Sequence, residues 1–529
     1  MTAVTERALA DVASLAELRQ KGRLIVKVGR KQIVLFHGDK GVFACNNRCP
    51  HEGYPLAEGS LADGCILTCN WHNWKFDLEK GDTLVGGDKL RLYPVTVEGD
   101  RILLDVTDPP AGERIDAALD SLRASFRRYE YDRMARELAR LEAAGGALPQ
   151  AVAAAIDWTH DRLEFGMTHA HAATADWLAL ADTAASTDPM RIAASLECVG
   201  HLAWDTLREP PYPYPTERVP YAEDGLVAAI EAEDEARAIG MVRDALARGL
   251  DYAALQAPLA RAALAHYAGF GHPSIYVLKT GELIDRLGSG VAEPLLLALV
   301  RYLIYASRED LIPEFRHYTK ALAAFGAPGG EPVAAADFAG LNVNRALDRV
   351  VSSGTDTGAL YEALLEASAA AMLHFDMARQ ERTDIPVSQN VGWLDFTHMI
   401  TFANAARQHC ERNPSLWPAA LLQMACFLGR VVGDVDHDRD MSAWKVEDPV
   451  HFFAEAREAL FDHGQFDYIT SCHRLKVLMA TADEIANRPD APWTGPLLAA
   501  VNRYLNSDLK RKHVARTAHQ ALSFVAAEG

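Results

Sequence analysis

The sequence predicts an α+β multidomain chain: a small all-β domain over residues 1–106, a linker over 107–114, and a large all-α domain of three to four helical quasi-repeats over 115–529. Three observations predict this. The length of 529 residues amounts to three or four domain equivalents of roughly 150 residues each. Composition changes near residue 107. The long second part resembles itself at fixed spacing.

In the first part, short β-branched runs (Leu24-Ile25-Val26-Lys27-Val28, Gln32-Ile33-Val34-Leu35-Phe36, Ile102-Leu103-Leu104) alternate with Gly, Asp and Asn turns, the pattern of a small β module. Thr107-Asp108-Pro109-Pro110-Ala111-Gly112 is a linker by composition. From 115 to 525 the chain is alanine-rich with apolar residues at helical spacing. It is interrupted where the prolines of Glu209–Pro215, and then the stretch Gly326–Pro332, cannot continue a helix.

Charge and composition narrow the partners. With 72 acidic and 53 basic residues the formal charge is −19, which repels phosphate backbones and anionic lipid, so neither nucleic acid nor membrane is expected as a partner. Met1 to Leu15 lacks the basic start and apolar core of a signal peptide. The apolar stretches Pro294–Val300 and Trp417–Gly429 read as too short for ~30 Å of hydrocarbon. A cytoplasmic location is the expectation. The eight cysteines then suit ligand or core roles rather than a disulfide framework.

The strongest chemical signal is Cys49-Pro50-His51, then 17 residues, then Cys69-Asn70-Trp71-His72. One Cys and one His on each of two loops suit a [2Fe–2S] cluster with two thiolates on one iron and two imidazoles on the other. Zinc accepts the same four residues, but its usual spacing pairs Cys with Cys and His with His. With their flanks, Cys49-Pro50-His51-Glu52-Gly53-Tyr54-Pro55-Leu56 and Cys69-Asn70-Trp71-His72-Asn73-Trp74-Lys75-Phe76-Asp77 resemble the Rieske domain over about residues 15–106. The resemblance implies Cys49, His51, Cys69 and His72 as cluster ligands. Tyr54 and Trp71 stand where the cytochrome bc type carries an extra cysteine pair, so the module resembles soluble Rieske ferredoxins and the Rieske domains of ring-hydroxylating oxygenases. Cys45 and Cys65 read as small core residues. Asn73 replaces a glycine common in the motif.

Such a cluster moves single electrons, so a substrate needs a second site. The iron-binding form Asp-x-x-His-x(4)-His is absent: Asp157-Trp158-Thr159-His160 is followed by His169, and Asp395-Phe396-Thr397-His398 by His409. A di-iron bundle needs two Glu-x-x-His motifs, and only Glu314-Phe315-Arg316-His317 is present. Glu197 and His201 share one helix face and read as an ordinary surface contact. No nucleotide-binding glycine motif occurs, so electrons are expected from a separate reductase.

Self-similarity points elsewhere. Val242–Asp251 matches Leu347–Asp356 at a shift of 105, with Gly249 and Gly354 as helix ends. An earlier copy runs from Leu138, and a partial one from Cys472 in which Pro496–Leu505 reads like Pro294–Leu303. Superposed, the copies put a histidine at the start of the same helix: His169 (with His171 beside it), His272, His398 and His473. Pseudo-symmetric packing would gather these imidazoles at one cavity as acid–base groups or as ligands of a second metal. Their pKa values would be depressed by the helix N-termini. The alternative is a packing histidine inherited with the repeat. His272-Pro273-Ser274-Ile275-Tyr276-Val277, with Glu282 beyond, and Phe396-Thr397-His398-Met399-Ile400-Thr401 resemble the histidine-headed helices of the questin oxidase-like family, helical proteins linked to oxidative ring cleavage of aromatic polyketides. That resemblance implies an oxygen-using site at those histidines.

The leading expectation is an oxidoreductase whose cluster delivers electrons to an oxidative site in the helical domain, acting on a small, by resemblance aromatic, substrate. The competing one is an electron carrier or redox sensor whose helical repeats only dock a partner. A homo-oligomer is compatible with either.

Overall fold

The computed structural model describes residues 9–183, 186–326, 330–353, 356–382, 385–386, 390–509 and 513–528. Gly354 and Thr355 of the repeat match, the middle of the Gly326–Pro332 break, and the first eight residues of the leader reading lie outside them. The chain divides into two compact units, Met1–Leu148 and Pro149–Gly529. The first unit thus includes the linker and two helices that composition assigns to the helical part.

Three small antiparallel sheets build the first unit. β1 (Leu9–Ser14) pairs with β10 (Arg101–Asp105), which pairs with β9 (Val95–Glu98); β2 (Arg23–Val28), β3 (Lys31–Gly38) and β4 (Gly41–Asn46) form a meander; β5 (Ser60–Ala62), β6 (Ile66–Thr68), β7 (Lys75–Asp77) and β8 (Thr83–Val85) form another. A short α1 (Leu15–Lys21), capped by Ser14, links β1 to β2. β3 faces two cores at once. Ile33 and Leu35 join Leu18, Ala44, Tyr93, Ile102 and Leu104, whereas Val34 and Phe36 join Cys45, Leu56, Leu67, Phe76, Leu78 and Leu90. The second core also holds Cys49 and Cys69, so the thiols rest on packed hydrocarbon. Beyond β10, α2 (Ala111–Phe126) and α3 (Tyr131–Ala143) form a hairpin.

The second unit is helical throughout: α4 (Leu148–Thr159), α5 (His169–Ala181), α6 (Asp188–Asp205), α7 (Glu223–Glu231), α8 (Glu235–Ala247), α9 (Tyr252–Leu264), α10 (His272–Leu287), α11 (Ala292–Tyr305), α12 (His317–Ala324), α13 (Val343–Val351), α14 (Thr357–Leu373), α15 (Trp393–Arg412), α16 (Trp417–Val431), α17 (Pro449–Phe461), α18 (Tyr468–Asn487), α19 (Thr494–Leu505) and α20 (Val514–Ala527). Asp234, Asp251, Asn342, Asp356 and Asp448 each accept a backbone N–H from the first turn that follows, which fixes where α8, α9, α13, α14 and α17 begin. Four helices close a ring: α5 packs on α10, α10 on α15, α15 on α18, and α18 on α5.

One sequence expectation changes here. The apolar run Trp417–Gly429 belongs to a continuous helical stretch, Pro414–Asp434, of 21 residues, long and apolar enough to cross a membrane. Its short 3₁₀ ends extend it beyond the run itself. In the fold 67% of its apolar window is buried inside the protein, as a core helix requires.

Candidate metal centres

The two cluster loops have the same backbone. The Cys49 N–H donates to the Tyr54 carbonyl (2.9 Å) and the Gly53 N–H to the Cys49 carbonyl (2.9 Å); the Cys69 N–H donates to Trp74 (2.8 Å) and the Asn73 N–H to Cys69 (2.9 Å). Each loop therefore needs a left-handed residue four places after its cysteine, and these are Gly53 (φ 76) and Asn73 (φ 59). Asparagine tolerates that region better than other side-chain-bearing residues, which accounts for Asn73 in a glycine's place.

These turns bring the four predicted ligands together. The His51 and His72 rings meet edge to face at 4.8 Å; His51 stacks on Trp74 (4.4 Å, 12°) and His72 on Trp71 (4.8 Å, 21°). The Cys69 sulfur lies against Cys49. Burial, and then this neighbouring sulfur, pushes the Cys49 thiol up to about 11, while backbone N–H groups of His51 and Glu52 work the other way. Those N–H groups are placed for a thiolate. His51 Nδ1 is buried without a hydrogen-bond partner, an expensive arrangement for an isolated imidazole and a natural one for a ligand. The donor set fits a [2Fe–2S] cluster. Cys45 is a fully buried core residue, Cys65 lies 3.5 Å from Lys40 Nζ, and all eight cysteines are free.

The helical unit holds a second convergence, at the ring of α5, α10, α15 and α18. His272 Nε2 lies 2.9 Å from His169 Nε2 and 2.9 Å from His398 Nε2, and His473 Nε2 is 3.3 Å from His398 Nε2. The rings close the circuit, His169 to His473 being 5.0 Å between centroids. All four imidazoles present ligand atoms within 4.8 Å of one another. The four histidines singled out by sequence converge here, but two of them lie elsewhere on their helices than expected. His169 and His272 are first residues of their helices, whereas His398 and His473 are sixth, because Trp393 and Tyr468 start α15 and α18 a turn and a half earlier. His171 turns back instead, to accept the Thr168 N–H in a capping box.

The tautomers follow from the partners. Nδ1 of His272, His398 and His473 faces the carbonyls of Gly269 (2.5 Å), Leu394 (2.5 Å) and Ile469 (2.6 Å). A carbonyl can only accept, so Nδ1 carries the hydrogen and a neutral ring leaves Nε2 bare. Bare nitrogens 2.9 Å apart repel unless a proton or a cation lies among them. Protonation is disfavoured. Burial first, and the Lys476 ammonium and neighbouring imidazoles after it, hold all four well below the ordinary histidine range, His272 at about 3. The expected helix-terminus cause is thus replaced by burial and like charge.

Sequence reading missed the groups around this ring. Lys476 is buried one turn after His473, its Nζ without a hydrogen-bond partner, and burial lowers its pKa. Lys279, two turns after His272, binds Asp176 (2.8 Å) and Glu282 (2.9 Å). Phe270 holds a left-handed conformation (φ 54) just before His272 and packs edge-on to His398 at 4.6 Å. The rejected motifs have structural duties: Asp395 accepts the Gly392 N–H (2.9 Å), and His317 pairs with Asp348 (2.7 Å). Glu197 and His201 are buried rather than on the surface, Glu197 against His463 (3.1 Å) and His201 stacked on Tyr468 (4.7 Å).

The first unit's fold and donor set define a [2Fe–2S] electron-transfer module. Residues 8–89 match the model of the Rieske [2Fe-2S] domain. The ferredoxin component of an alkene monooxygenase system from Xanthobacter autotrophicus is 30% identical over 100 residues, 19% of this chain and 81% of that protein. The 3-phenylpropionate/cinnamic acid dioxygenase ferredoxin subunit of Photorhabdus laumondii is 36% identical over 78 residues, 14% of this chain and 74% of the relative. The ferredoxin of carbazole 1,9a-dioxygenase from Nocardioides aromaticivorans aligns structurally over 19% of this chain and 98% of its own, at 24% identity and a TM-score of 0.18. Through this N-terminal module the chain belongs to the Rieske [2Fe–2S] domain family.

Proposed function

We propose that the chain is an oxidoreductase in which the Rieske module supplies single electrons to a metal-dependent oxidative site at His169, His272, His398 and His473. One observation carries the reading: hydrogens fixed on Nδ1 of His272, His398 and His473 by backbone carbonyls leave bare Nε2 atoms 2.9 and 3.3 Å apart in a buried ring that His169 completes. At a metal–nitrogen distance of about 2.0–2.1 Å, neighbouring ligands stand roughly 3.0–3.4 Å apart, so the ring is close to the size of a coordination shell. The Nδ1–H···O=C bonds are the kind that orient metal-bound imidazoles. An all-imidazole set suits iron, copper, zinc or nickel. A redox metal there would supply the oxygen and substrate chemistry that the Rieske module by itself lacks. The four-quasi-repeat reading gives each repeat one imidazole, and the resemblance to the questin oxidase-like family supports a small aromatic substrate.

The residues of the chain set the conditions for that chemistry. Burial keeps the imidazoles neutral, Lys476 and the Lys279–Asp176 pair bring ionisable groups near the ring, and Phe270, Phe402, Phe427 and Tyr276 make its surroundings aromatic. The relatives named as ferredoxin components favour the second reading, an electron carrier fed by a separate reductase. Metal analysis separates the two. Full-length protein from an iron- and copper-replete culture is expected to hold two irons for the cluster and one further metal, and His272→Ala or His398→Ala is expected to lose the extra metal while keeping the cluster's visible absorption. Two irons and nothing more, unchanged by either substitution, would leave the carrier reading.

A further inference from the structure

The hairpin α2–α3 lies beyond the residues matched by the family, 8–89, and it is keyed into the cluster loops from one side. Its anchor is Asp88, fully buried, whose carboxylate takes three guanidiniums from successive turns of α3: Arg133 (2.9 Å), Arg136 (2.9 Å) and Arg140 (3.1 Å). Arg140 uses the same Nη2 to donate to the carbonyl of Pro50 (3.2 Å), the residue between the ligands Cys49 and His51. Two glycines make the approach feasible. A Cβ on Gly86 would stand 2.3 Å from the Trp74 ring that stacks on His51, and one on Gly87 would stand 2.8 Å from Arg133. Between α3 and the loops a cleft of about 340 Å³ is lined by His51, Trp74, Gly86, Gly87, Tyr131 and Arg133, among others. Of the two histidine ligands His51 is the more covered, its side chain 24% exposed against 38% for His72.

The charges of this lock are balanced. Three guanidiniums face Asp88 together with Glu130, which pairs with Arg133 (2.8 Å), and Glu137, which pairs with Arg140 (2.5 Å). Of the three guanidiniums, Arg140 donates to the cluster loop, where Arg48, on the loop itself, already holds the Gly53 carbonyl (3.1 Å). Reduction adds one negative charge to the cluster, so a fixed cation held within one residue of two ligands favours the reduced state, and its removal leaves the lock one charge negative.

We propose that Arg140, set in place by Asp88, is a positioning residue for the cluster that raises its reduction potential and holds the Cys49–Tyr54 loop. The inference rests on the Rieske reading of the four ligands and goes beyond it, because it assigns a role to a helix outside the Rieske module. The Arg140 side chain is 38% exposed but held by fully buried Asp88, so water screens its charge only in part.

The test is the midpoint potential of the cluster in the full-length chain at one fixed pH, read by spectroelectrochemistry together with the electron paramagnetic resonance spectrum of the reduced protein. Arg140→Gln, neutral and similar in stem, is expected to lower the midpoint. Arg140→Lys, which keeps the charge, is expected to stay close to the unmodified chain. Asp88→Asn, which keeps one amide oxygen to hold the guanidiniums but leaves them in charge excess, is expected to raise it. A merely structural lock predicts otherwise: Gln and Lys at Arg140 would behave alike, or Asp88→Asn and Arg140→Gln would move the midpoint in one direction. Either result overturns the proposal, as does loss of the cluster from Arg140→Lys. An unmodified chain without the spectrum of a reduced [2Fe–2S] centre would instead sink the Rieske reading itself.

Discussion

Acid should loosen the histidine ring through a residue that is not part of it. His409 lies on α15, eleven residues beyond His398, and is fully buried. Its Nε2–H donates to the Ser274 carbonyl on α10 (2.9 Å), two residues beyond His272, and its Nδ1 lies 3.0 Å from Gln256 Nε2, which donates to it. His409 therefore ties together the two helices that carry His272 and His398, and does so as a neutral ring. Burial lowers its pKa from 6.5 to about 4. A lowered histidine pKa means that the unfolded chain binds the proton more readily. The stabilisation is fully present above the unfolded value near 6.5 and is lost as pH falls from there toward 4. At 1.36 kcal/mol per pH unit the loss from this one residue is about 3 kcal/mol, a large part of ordinary domain stability. Urea denaturation followed by far-ultraviolet circular dichroism at steps from pH 7.5 to 4.5 should show the helical unit weakening below pH 6.5. His409→Asn should flatten that slope by a share corresponding to one proton. A slope that is the same in both proteins would refute the assignment of His409 as a buried neutral tie.

Other outcomes follow from single contacts. Asn73→Val puts a β-branched residue at φ 59 and should destabilise the Rieske module by about 1–2 kcal/mol in thermal melts of the cluster absorption, whereas Asn73→Gly should be neutral or stabilising. Gly86→Ala drives a methyl to 2.3 Å from the Trp74 ring at φ 121, so the cluster should be lost faster on mild heating, with a stability loss of about 1–3 kcal/mol. Arg407→Met removes the partner of buried Glu484 (2.8 Å) on α18 and should cost about 3–5 kcal/mol in chemical denaturation. Glu484→Gln in the same protein should recover part of that loss.

What was legible in the sequence was whatever chemistry writes at short range. Cys49-Pro50-His51 and Cys69-Asn70-Trp71-His72 could be read because each turn carries one thiol and one imidazole side by side. The four helical histidines were picked out by superposing self-similar stretches of sequence, but the shared position at helix starts that this implied does not hold for His398 and His473. The starts of α15 and α18 are weakly marked: Asp395 accepts the Gly392 N–H at α15, and among the described contacts neither Gly392 nor Asp467 caps its helix through its own side chain. Long-range pairing stayed hidden. Asp88 and its three arginines are more than forty residues apart in sequence, so α2 and α3 read as part of the helical body when they belong with the β module. Lys476 gave no signal because sequence alone does not tell which face of α18 turns inward.

The oxidative role of the helical unit depends on a metal bound by imidazoles away from the Rieske ligands. Metal content by mass spectrometry should be measured on the full-length Cys49→Ser, Cys69→Ser chain, which cannot assemble the cluster, after growth with iron, copper, manganese and zinc supplied. One metal per folded chain, lost on adding His272→Ala, is the predicted result. A folded, cluster-free chain that carries no metal, or whose metal is indifferent to His272, would contradict it.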